Sequence, residues 1–315
     1  MKPILTLALA LVAFSCAPTG VFAQRQLPDM EASFDNRDPA FAPDAGPQIV
    51  VSTTNNDYVR RGAMDPFARL ARTDGFRVAR QAGDLVSALN ADTRIVVIAN
   101  PYLPSYRDFP AMTPPSAFSD SEIEAVRAWV GNGGSLLMLA DHAPFGGGSS
   151  KLAEAFGFQY LNGHAAETRS ADAGYARVTI DFTPQNGLAA GHPIVDGQTG
   201  RAPVTRFAAF GGQAFIPADG ARQLLTIPQG WSAIFTYRLE AELGVAPRID
   251  ASGMAQGATL EYGKGRIALF GETGGFTAQV IDGTKKFGFN TAEGSDNPEF
   301  ILATLRWLAR FEPKP

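Results

Sequence analysis

Cysteine is almost absent from the 315-residue sequence, which contains Cys16 and no other. A single cysteine excludes an intramolecular disulfide, so the burial of apolar side chains has to supply the stability of the fold. Histidine is also scarce, with His142, His164 and His192 as the full set. A site built on imidazole chemistry therefore has few candidate residues.

Long apolar runs and a strong charge of either sign are missing too. After residue 23, no stretch approaches the roughly 18 consecutive apolar residues that a transmembrane helix needs. The net charge is −4, and such a mild acidic balance indicates neither a nucleic-acid partner nor binding to an anionic membrane. We therefore expect a soluble protein with no transmembrane segment in the mature chain.

The N-terminus has the composition of a secretory signal peptide. Lys2 precedes a short apolar run over residues 4–14, and small residues follow up to Ala23. We predict a signal peptide over residues 1–23 and a mature chain that begins at Gln24 and is periplasmic or secreted. The alternative is a lipoprotein with its lipid on Cys16, although the residues before this cysteine fit the small-residue pattern of such processing poorly.

The remaining sequence divides into an arm and one domain. Residues 24–47 are rich in Pro, Asp and Ala without apolar periodicity, which predicts an extended N-terminal arm. Residues 48–315 alternate apolar strands with helical patterns. This alternation predicts an α/β domain with a mostly parallel central sheet and helices on both faces.

Individual elements can be placed within that domain. Strands are predicted at 48–53, 76–80, 94–99, 135–140, 257–262 and 266–270. The last two flank Gly263-Lys264-Gly265, which predicts a β-hairpin with a tight turn. Ser119 and Glu122 form a capping-box pattern at the start of one helix. Gly146-Gly147-Gly148 is interpreted as a turn before another, and a helix with Pro298 at its first position closes the chain.

Polar residues follow the strands of the predicted sheet at their carboxyl ends, where open α/β sheets bind ligands. The residues at these exits are Asn55, Asp57, Asn100, Asp141, His142 and Glu272. Asn and Asp are common in turns, but four polar exits in one sheet favour a shared site. Carboxylates beside an imidazole perform general acid–base chemistry, so Asp141, His142 and Glu272 are candidate catalytic residues. The other three are candidate ligand-binding residues.

Two further residues are candidates for ligand binding. His192 lies in Gly191-His192-Pro193-Ile194, within a predicted loop, and Asn297 ends a glycine-rich loop before the last helix. His164 is interpreted as structural or exposed. No short metal-binding motif is present, so we predict no cofactor, while a divalent metal held by His and carboxylates at the strand ends stays possible.

The order of several motifs resembles that of class I glutamine amidotransferase-like domains, closest to ThuA-like proteins and related bacterial domains of unknown function. Those motifs are Gly133-Gly134 before a strand, Gly191-His192-Pro193-Ile194, Gly263-Lys264-Gly265-Arg266 before another strand, and a closing helix with Trp307. The resemblance covers roughly residues 48–310. It implies a flavodoxin-like fold with a nucleophile at the turn after the Gly-Gly strand and a histidine after the hairpin.

The sequence departs from that pattern at both catalytic positions. The turn after the Gly-Gly strand offers Asp141 and His142 where amidotransferases have cysteine, and Glu272 stands where their histidine is expected. ThuA-like proteins have a histidine at the turn, about two residues nearer to Gly134 than His142 is. A cysteine-dependent glutaminase is therefore excluded, because both its nucleophile and its base are missing.

Two hypotheses for function remain. The first is a hydrolase that acts on a small polar ligand, which the resemblance to ThuA-like proteins suggests is carbohydrate-like. In it, Asp141 orients His142 and Glu272 is a second acid or base. The second is a non-catalytic module of the same fold that binds a ligand or another protein of the cell envelope.

Overall fold

A computed structural model describes residues 26–81, 83–103 and 114–313. The predicted signal peptide, its cleavage site and Cys16 lie outside the described residues, and so does most of the proline-rich loop that follows Tyr102. Within the described ranges, no helix is long and apolar enough to cross a membrane.

The described part of the chain forms seven α-helices and seventeen β-strands. The helices are α1 Asp57–Arg60, α2 Asp65–Thr73, α3 Asp120–Gly131, α4 Phe145–Glu154, α5 Thr168–Asp172, α6 Leu239–Glu242 and α7 Asn297–Ala309. The strands are β1 Gln26–Pro28, β2 Gln48–Ser52, β3 Arg77–Gln81, β4 Thr93–Ala99, β5 Ser135–Leu139, β6 Gln159–Tyr160, β7 His164–Glu167, β8 Ile180–Phe182, β9 Phe207–Ala209, β10 Phe215–Ile216, β11 Arg222–Thr226, β12 Trp231–Ile234, β13 Arg248–Asp250, β14 Ala255–Tyr262, β15 Gly265–Phe270, β16 Ala278–Ile281 and β17 Lys285–Gly288.

The central sheet is mixed. Among the described residues it has nine strands in the order β3-β2-β4-β5-β15-β14-β10-β6, with β11 paired to β14. The first five strands are parallel to one another, whereas β14, β10, β6 and β11 add antiparallel pairs. The protein is thus an α/β protein, but the prediction of a mostly parallel sheet is not confirmed, since the described residues also form three smaller sheets whose strand pairs are all antiparallel. The antiparallel half is broader than the single hairpin that was predicted.

That hairpin forms as the sequence predicts. β14 and β15 pair antiparallel from Gly257 opposite Phe270 to Tyr262 opposite Gly265. Gly263 in the turn has a φ of 58°, and a Cβ there would lie 2.7 Å from the carbonyl oxygen of Gly131. A side chain at this position would therefore meet both an unfavourable backbone conformation and a clash.

The inner parallel strands β2, β4, β5 and β15 are buried on both faces, whereas β3 at the edge of the sheet is partly exposed. Ile49 and Val51 of β2 face the core that contains α2 and α7, whereas Val50 between them faces the core that contains α3. Strands β4 and β5 alternate in the same way. Because both faces are covered, these strands have continuous apolar sequences rather than alternating ones, which is why they are the clearest strands in the sequence.

The glycine triplet lies in the first turn of α4 and not in a turn before it. A Cβ on Gly146 would lie 2.3 Å from the amide of Gln213, and one on Gly148 would lie 2.4 Å from the carbonyl oxygen of Pro101. Glycine therefore serves close packing here, which outweighs its low helix propensity. The sequence alone could not distinguish this use of glycine from a flexible turn.

The N-terminal arm is bound to the domain by a buried arginine on α7. Arg306 donates to both carboxylate oxygens of Asp74, at 2.8 and 2.6 Å, and to the carbonyl oxygens of Gly200 and Asp38. Asp74 also accepts hydrogen bonds from Asn36 and from the backbone of Ala40 in the arm. One buried ion pair therefore joins the arm, the end of α2 and the last helix.

Candidate functional site

The exits of β4, β5 and β15 are joined by one buried asparagine. Asn100 has a left-handed backbone conformation, with a φ of 52°. Its Oδ1 accepts hydrogen bonds from the Asp141 backbone N–H at 2.8 Å and from the Thr273 hydroxyl at 2.9 Å. Because these strands are parallel neighbours, their polar exits meet at one edge of the sheet. Asn100 thus positions the site rather than presenting itself to a ligand.

Asp141 and His142 are both half-buried at this edge. The Asp141 carboxylate accepts from the backbone N–H of His142 at 2.9 Å, so the hydrogen bond between them does not involve the imidazole. The His142 Nδ1 lies 2.7 Å from the Ala143 carbonyl oxygen. Since a carbonyl can only accept, Nδ1 carries the hydrogen and the neutral ring has an unprotonated Nε2. A backbone carbonyl therefore orients His142, in place of the carboxylate that the sequence suggested.

His164 stacks on His142 and belongs to the same site. The ring centroids are 4.4 Å apart and the planes differ by 17°. Burial, followed by the neighbouring His142, lowers the pKa of His164 to about 3. Its Nε2 is buried and has no hydrogen-bond partner among the described residues. His164 is thus a neutral ring behind His142, a role that its position in the sequence did not indicate.

Glu272 is completely buried at the exit of β15. Its Oε1 accepts from the backbone N–H of Gly275 at 2.6 Å, whereas its Oε2 has no hydrogen-bond partner among the described residues. Burial, followed by the nearby charge of Asp141, raises the pKa of Glu272 to about 8. The carboxyl group is therefore mainly protonated at neutral pH, which removes the cost of burying an unpaired charge.

Two consecutive glycines pass between the carboxyl groups of Asp141 and Glu272. A Cβ on Gly211 would lie 3.9 Å from Asp141 Oδ1, and one on Gly212 would lie 3.0 Å from Glu272 Oε2. The backbone of Gly212 has a φ of 87° and is so close to β15 that its Cβ would be 2.0 Å from the carbonyl oxygen of Gly271. Only glycine fits here.

We expect Gly212→Ala to destabilise the protein strongly. The left-handed conformation costs about 1–2 kcal/mol for alanine, and the clash with Gly271 adds about 1–3 kcal/mol. Gly174→Ala is the matched control, because Gly174 has a φ of 84° with nothing within 4 Å of its Cβ position. Urea unfolding should show the larger loss for Gly212→Ala, and equal losses would contradict the close approach seen here.

Two glutamines complete the edge. Gln213 donates from Nε2 to the carbonyl oxygens of Ala140 and Asp141, at 3.0 and 2.6 Å, and accepts from the Asn162 backbone N–H. Gln256, at the start of β14, donates to the Gly211 carbonyl oxygen, and its Oε1 is buried without a partner among the described residues. Sequence reasoning missed both, because it searched the exits of parallel strands and these residues come from the antiparallel half.

A cavity of about 240 Å³ is separated from this cluster by Phe145, a residue of its wall whose ring centroid is 5.9 Å from that of His142. Its lining residues are Gln26, Leu27, Pro28, Asp57, Tyr58, Arg61, Ala63, Tyr102, Phe145 and Gln279. Tyr58 connects the cavity with the carboxyl groups, since burial, followed by the charges of Asp141 and Glu272, raises its pKa far above its usual value. The Tyr58 phenol oxygen accepts from Gln279 Nε2 at 2.8 Å, so its own hydrogen is free to donate elsewhere. Neither residue was a sequence candidate.

The remaining candidates occupy different places. Asp57 lines the cavity. Asn55 donates to the Ala117 carbonyl oxygen at 2.6 Å and so ties the loop before α3 to the exit of β2. Asn297 is fully buried, accepts from the Ala208 N–H and donates to the carbonyl oxygens of Ala208 and Gly275. It therefore supports the Gly275 backbone, whose N–H holds Glu272.

His192 lies apart from this edge. Its Nδ1 accepts from the Ile194 N–H at 3.1 Å, its Nε2 is 3.0 Å from the Thr259 hydroxyl, and its ring packs against Trp307. Burial, followed by the charge of Arg222, lowers its pKa to about 4. These contacts satisfy both ring nitrogens inside the fold, so His192 is separate from Asp141, His142 and Glu272.

The described residues contain no group of three or more His, Cys, Asp or Glu side chains arranged to hold a metal ion. His142 and His164 stack face to face, which does not point both rings at one ion. The site therefore consists of an imidazole pair, two carboxyl groups of different environment, and a phenol.

No protein-family model matches the sequence, and no curated protein matches it. Among solved structures, the mmIFT52 N-terminal domain is similar, with a TM-score of 0.52 and 13% identity over 83% of this chain and 97% of that chain. A cytoplasmic protein from Salmonella typhimurium LT2 has a TM-score of 0.43 and 16% identity over 84% and 100% of the chains. A β-galactosidase from Rahnella sp. R3 has a TM-score of 0.42 and 12% identity over 84% of this chain and 31% of that chain. At 13% identity, the similarity to the mmIFT52 N-terminal domain concerns the fold alone.

Proposed function

We propose that this protein is an exported hydrolase that acts on a small polar ligand bound in the cavity beside Tyr58. The observation that carries the proposal is a pair of neighbouring carboxyl groups in unlike environments. Glu272 is fully buried with a pKa of about 8, while Asp141 is half-buried next to a half-buried imidazole. Pairs of titratable groups whose environments separate their protonation states are typical of acid–base catalysis.

In this proposal His142 reaches the substrate beside Phe145, a residue of the cavity wall whose ring centroid is 5.9 Å from that of His142, and Asp141 and Glu272 act through His142. The unprotonated Nε2 of His142 accepts a proton from water as the water oxygen bonds to the substrate, and the imidazolium returns this proton to the leaving oxygen when its bond to the substrate breaks. The Tyr58 hydroxyl, held by Gln279, donates a hydrogen bond to the substrate oxygen on which charge develops. Glu272 is enclosed, so we assign it a positioning role in which its protonated form limits the negative charge around Asp141.

A carbohydrate-like ligand is the substrate class that we propose. Three aromatic side chains, Tyr58, Tyr102 and Phe145, line the cavity together with the charged groups of Asp57 and Arg61. Aromatic faces with a few polar groups suit a ring that has an apolar face and hydroxyl edges. The resemblance to ThuA-like proteins and a flavodoxin-like arrangement of the parallel strands agree with this assignment and remain predictions.

The test is hydrolysis of a panel of p-nitrophenyl glycosides and p-nitrophenyl esters. We expect the wild-type protein to hydrolyse at least one of them, and His142→Gln and Asp141→Asn to lower kcat by about 10²–10⁴-fold, the usual contribution of a general acid or base. Asp181→Asn, a change at a half-buried carboxylate on β8 that pairs with Arg206, should leave the rate unchanged. Hydrolysis that survives in His142→Gln would overturn the proposed base.

A second candidate is a non-catalytic binding module, and one observation favours it. Glu272 has no exposed surface, so no substrate reaches its carboxyl group in this conformation. If the protein is a binding module, monosaccharides from a test panel should raise the melting temperature of the wild-type protein, while every chromogenic substrate remains intact. A ligand that is both bound and hydrolysed would eliminate it.

A further inference from the structure

A second cavity, of about 330 Å³, lies between α2, strands β2 and β3, and the N-terminal arm. Its lining residues are Met30, Val51, Met64, Asp65, Ala68, Arg69, Arg72, Val78 and Arg80. This volume is at the lower end of the range for small-molecule sites, about 300–1,000 Å³. None of these residues belongs to the strand-end cluster.

The walls of this cavity are strongly cationic. The lining contains three arginines, Arg69, Arg72 and Arg80, and one carboxylate, Asp65, which pairs with Arg80. Arg72 donates to the Val78 carbonyl oxygen at 2.8 Å, and Arg69 donates to the Met30 carbonyl oxygen. A guanidinium has five N–H donors, so each of these two arginines keeps donors for another acceptor. In a chain of net charge −4, this is a local excess of positive charge.

The floor of the cavity is apolar. Val51 and Met64 are buried in the core below it, and Ala68 contributes a methyl group from α2. Met30 of the arm lies at the mouth, where its flexible side chain is 46% exposed. An apolar floor beneath a cationic rim is complementary to a ligand with a negative head group and a short apolar tail.

We propose that this cavity binds a medium-chain carboxylate, with the carboxylate between Arg69 and Arg72 and the alkyl chain over Met64 and Ala68. The guanidinium fork matches the two oxygens of a carboxylate, and burial of the chain supplies the apolar contribution to affinity. The assignment is independent of the hydrolase proposal, because the two cavities share no lining residue.

Isothermal titration calorimetry of the full protein with decanoate tests the proposal. We expect decanoate to bind, and acetate and decyltrimethylammonium to bind at least tenfold more weakly, because one lacks the tail and the other has the wrong charge. The double change Arg69→Gln with Arg72→Gln should weaken decanoate binding at least tenfold. Arg37→Gln with Arg127→Gln, at exposed arginines elsewhere, is the matched control and should have no effect.

The cavity floor is tested separately. Ala68→Leu fills the space while retaining all three arginines, so it should also weaken decanoate binding at least tenfold. Melting temperatures identify any variant that loses binding through unfolding. Equal affinity for decanoate and decyltrimethylammonium, unchanged affinity in the arginine double variant, or no decanoate binding by the wild-type protein would each overturn the proposal.

Discussion

Glu272→Gln should abolish a loss of stability that the wild-type protein shows as the pH rises from about 4.5 to about 8. The pKa of Glu272 is raised from 4.5 to about 8 in the folded protein. Below pH 4.5 the Glu272 carboxyl group is protonated in both the folded and the unfolded protein, so its deprotonation takes nothing from the stability of the fold. Between the two values the unfolded chain releases the proton and the folded protein keeps it, so the unfolded state gains and stability falls.

The expected effect is large. A shift from 4.5 to about 8, at 1.36 kcal/mol per unit, corresponds to a change on the order of 4–5 kcal/mol in the free energy of unfolding. Urea unfolding at pH 5 and pH 8 should show most of this change, about 3–4 kcal/mol, because part of the loss has already occurred at pH 5. The neutral glutamine amide resembles the protonated carboxyl group but does not titrate. The Glu272→Gln variant should therefore lack the loss of stability between pH 5 and pH 8 that Glu272 causes in the wild-type protein.

Glu240→Gln is the matched control, since Glu240 is exposed on α6 and its replacement should leave the pH profile unchanged. A wild-type protein whose stability does not fall between pH 5 and pH 8 would contradict the buried, protonated state of Glu272. Glu272→Ala is a poorer probe, because it leaves the Gly275 N–H without its acceptor and opens a cavity. Since Glu272 is part of the core, we do not expect its alanine variant to retain full stability.

Arg306→Met should destabilise the protein by about 3–5 kcal/mol, because it leaves Asp74 as a buried charge without its main partner. Both groups are inaccessible to solvent, and Arg306 also donates to backbone carbonyls of the arm and of the loop at Gly200. Thermal unfolding should also become less cooperative in the arm, whose contacts converge on this pair.

The double variant Arg306→Met with Asp74→Asn separates the two causes of that loss. If the loss comes mainly from the buried charge that Asp74 keeps after Arg306 is removed, the neutral asparagine should restore part of the stability, giving a coupling energy within about 0.5–3 kcal/mol, the usual range for contacting residues. Arg127→Met, which removes an exposed pair with Glu124, should cost no more than about 1 kcal/mol. If Arg306→Met also costs no more than about 1 kcal/mol, the buried network around Asp74 contributes little to stability.

Several parts of the fold were predictable because local interactions specify them. The capping box at Ser119 and Glu122 is present at the start of α3, and the β14–β15 hairpin has the predicted turn. The inner strands of the parallel half were recognisable because burial on both faces demands continuous apolar sequence. The antiparallel half was largely missed, because β6, β10 and β11 are short and pair with residues far away in sequence.

Only part of the site could be found from strand exits. The pattern of a polar residue directly after an apolar strand located Asn100, Asp141, His142 and Glu272. It did not reveal His164, Tyr58 or Gln279, because each reaches the edge from a separate element and has no local motif. For the same reason His192, which resembles a site residue in its motif, is held instead between Thr259 and Trp307.

The sequence by itself determined which residues form the parallel strands and which polar groups follow them, because apolar continuity and turn chemistry are local properties. Tertiary structure decided what those groups do. Complete burial raises the pKa of Glu272, a carbonyl of the next residue fixes the tautomer of His142, and a stacked ring stands behind it. Protonation and orientation depend on desolvation and on neighbours brought together from distant segments, and neither quantity is encoded at a single position.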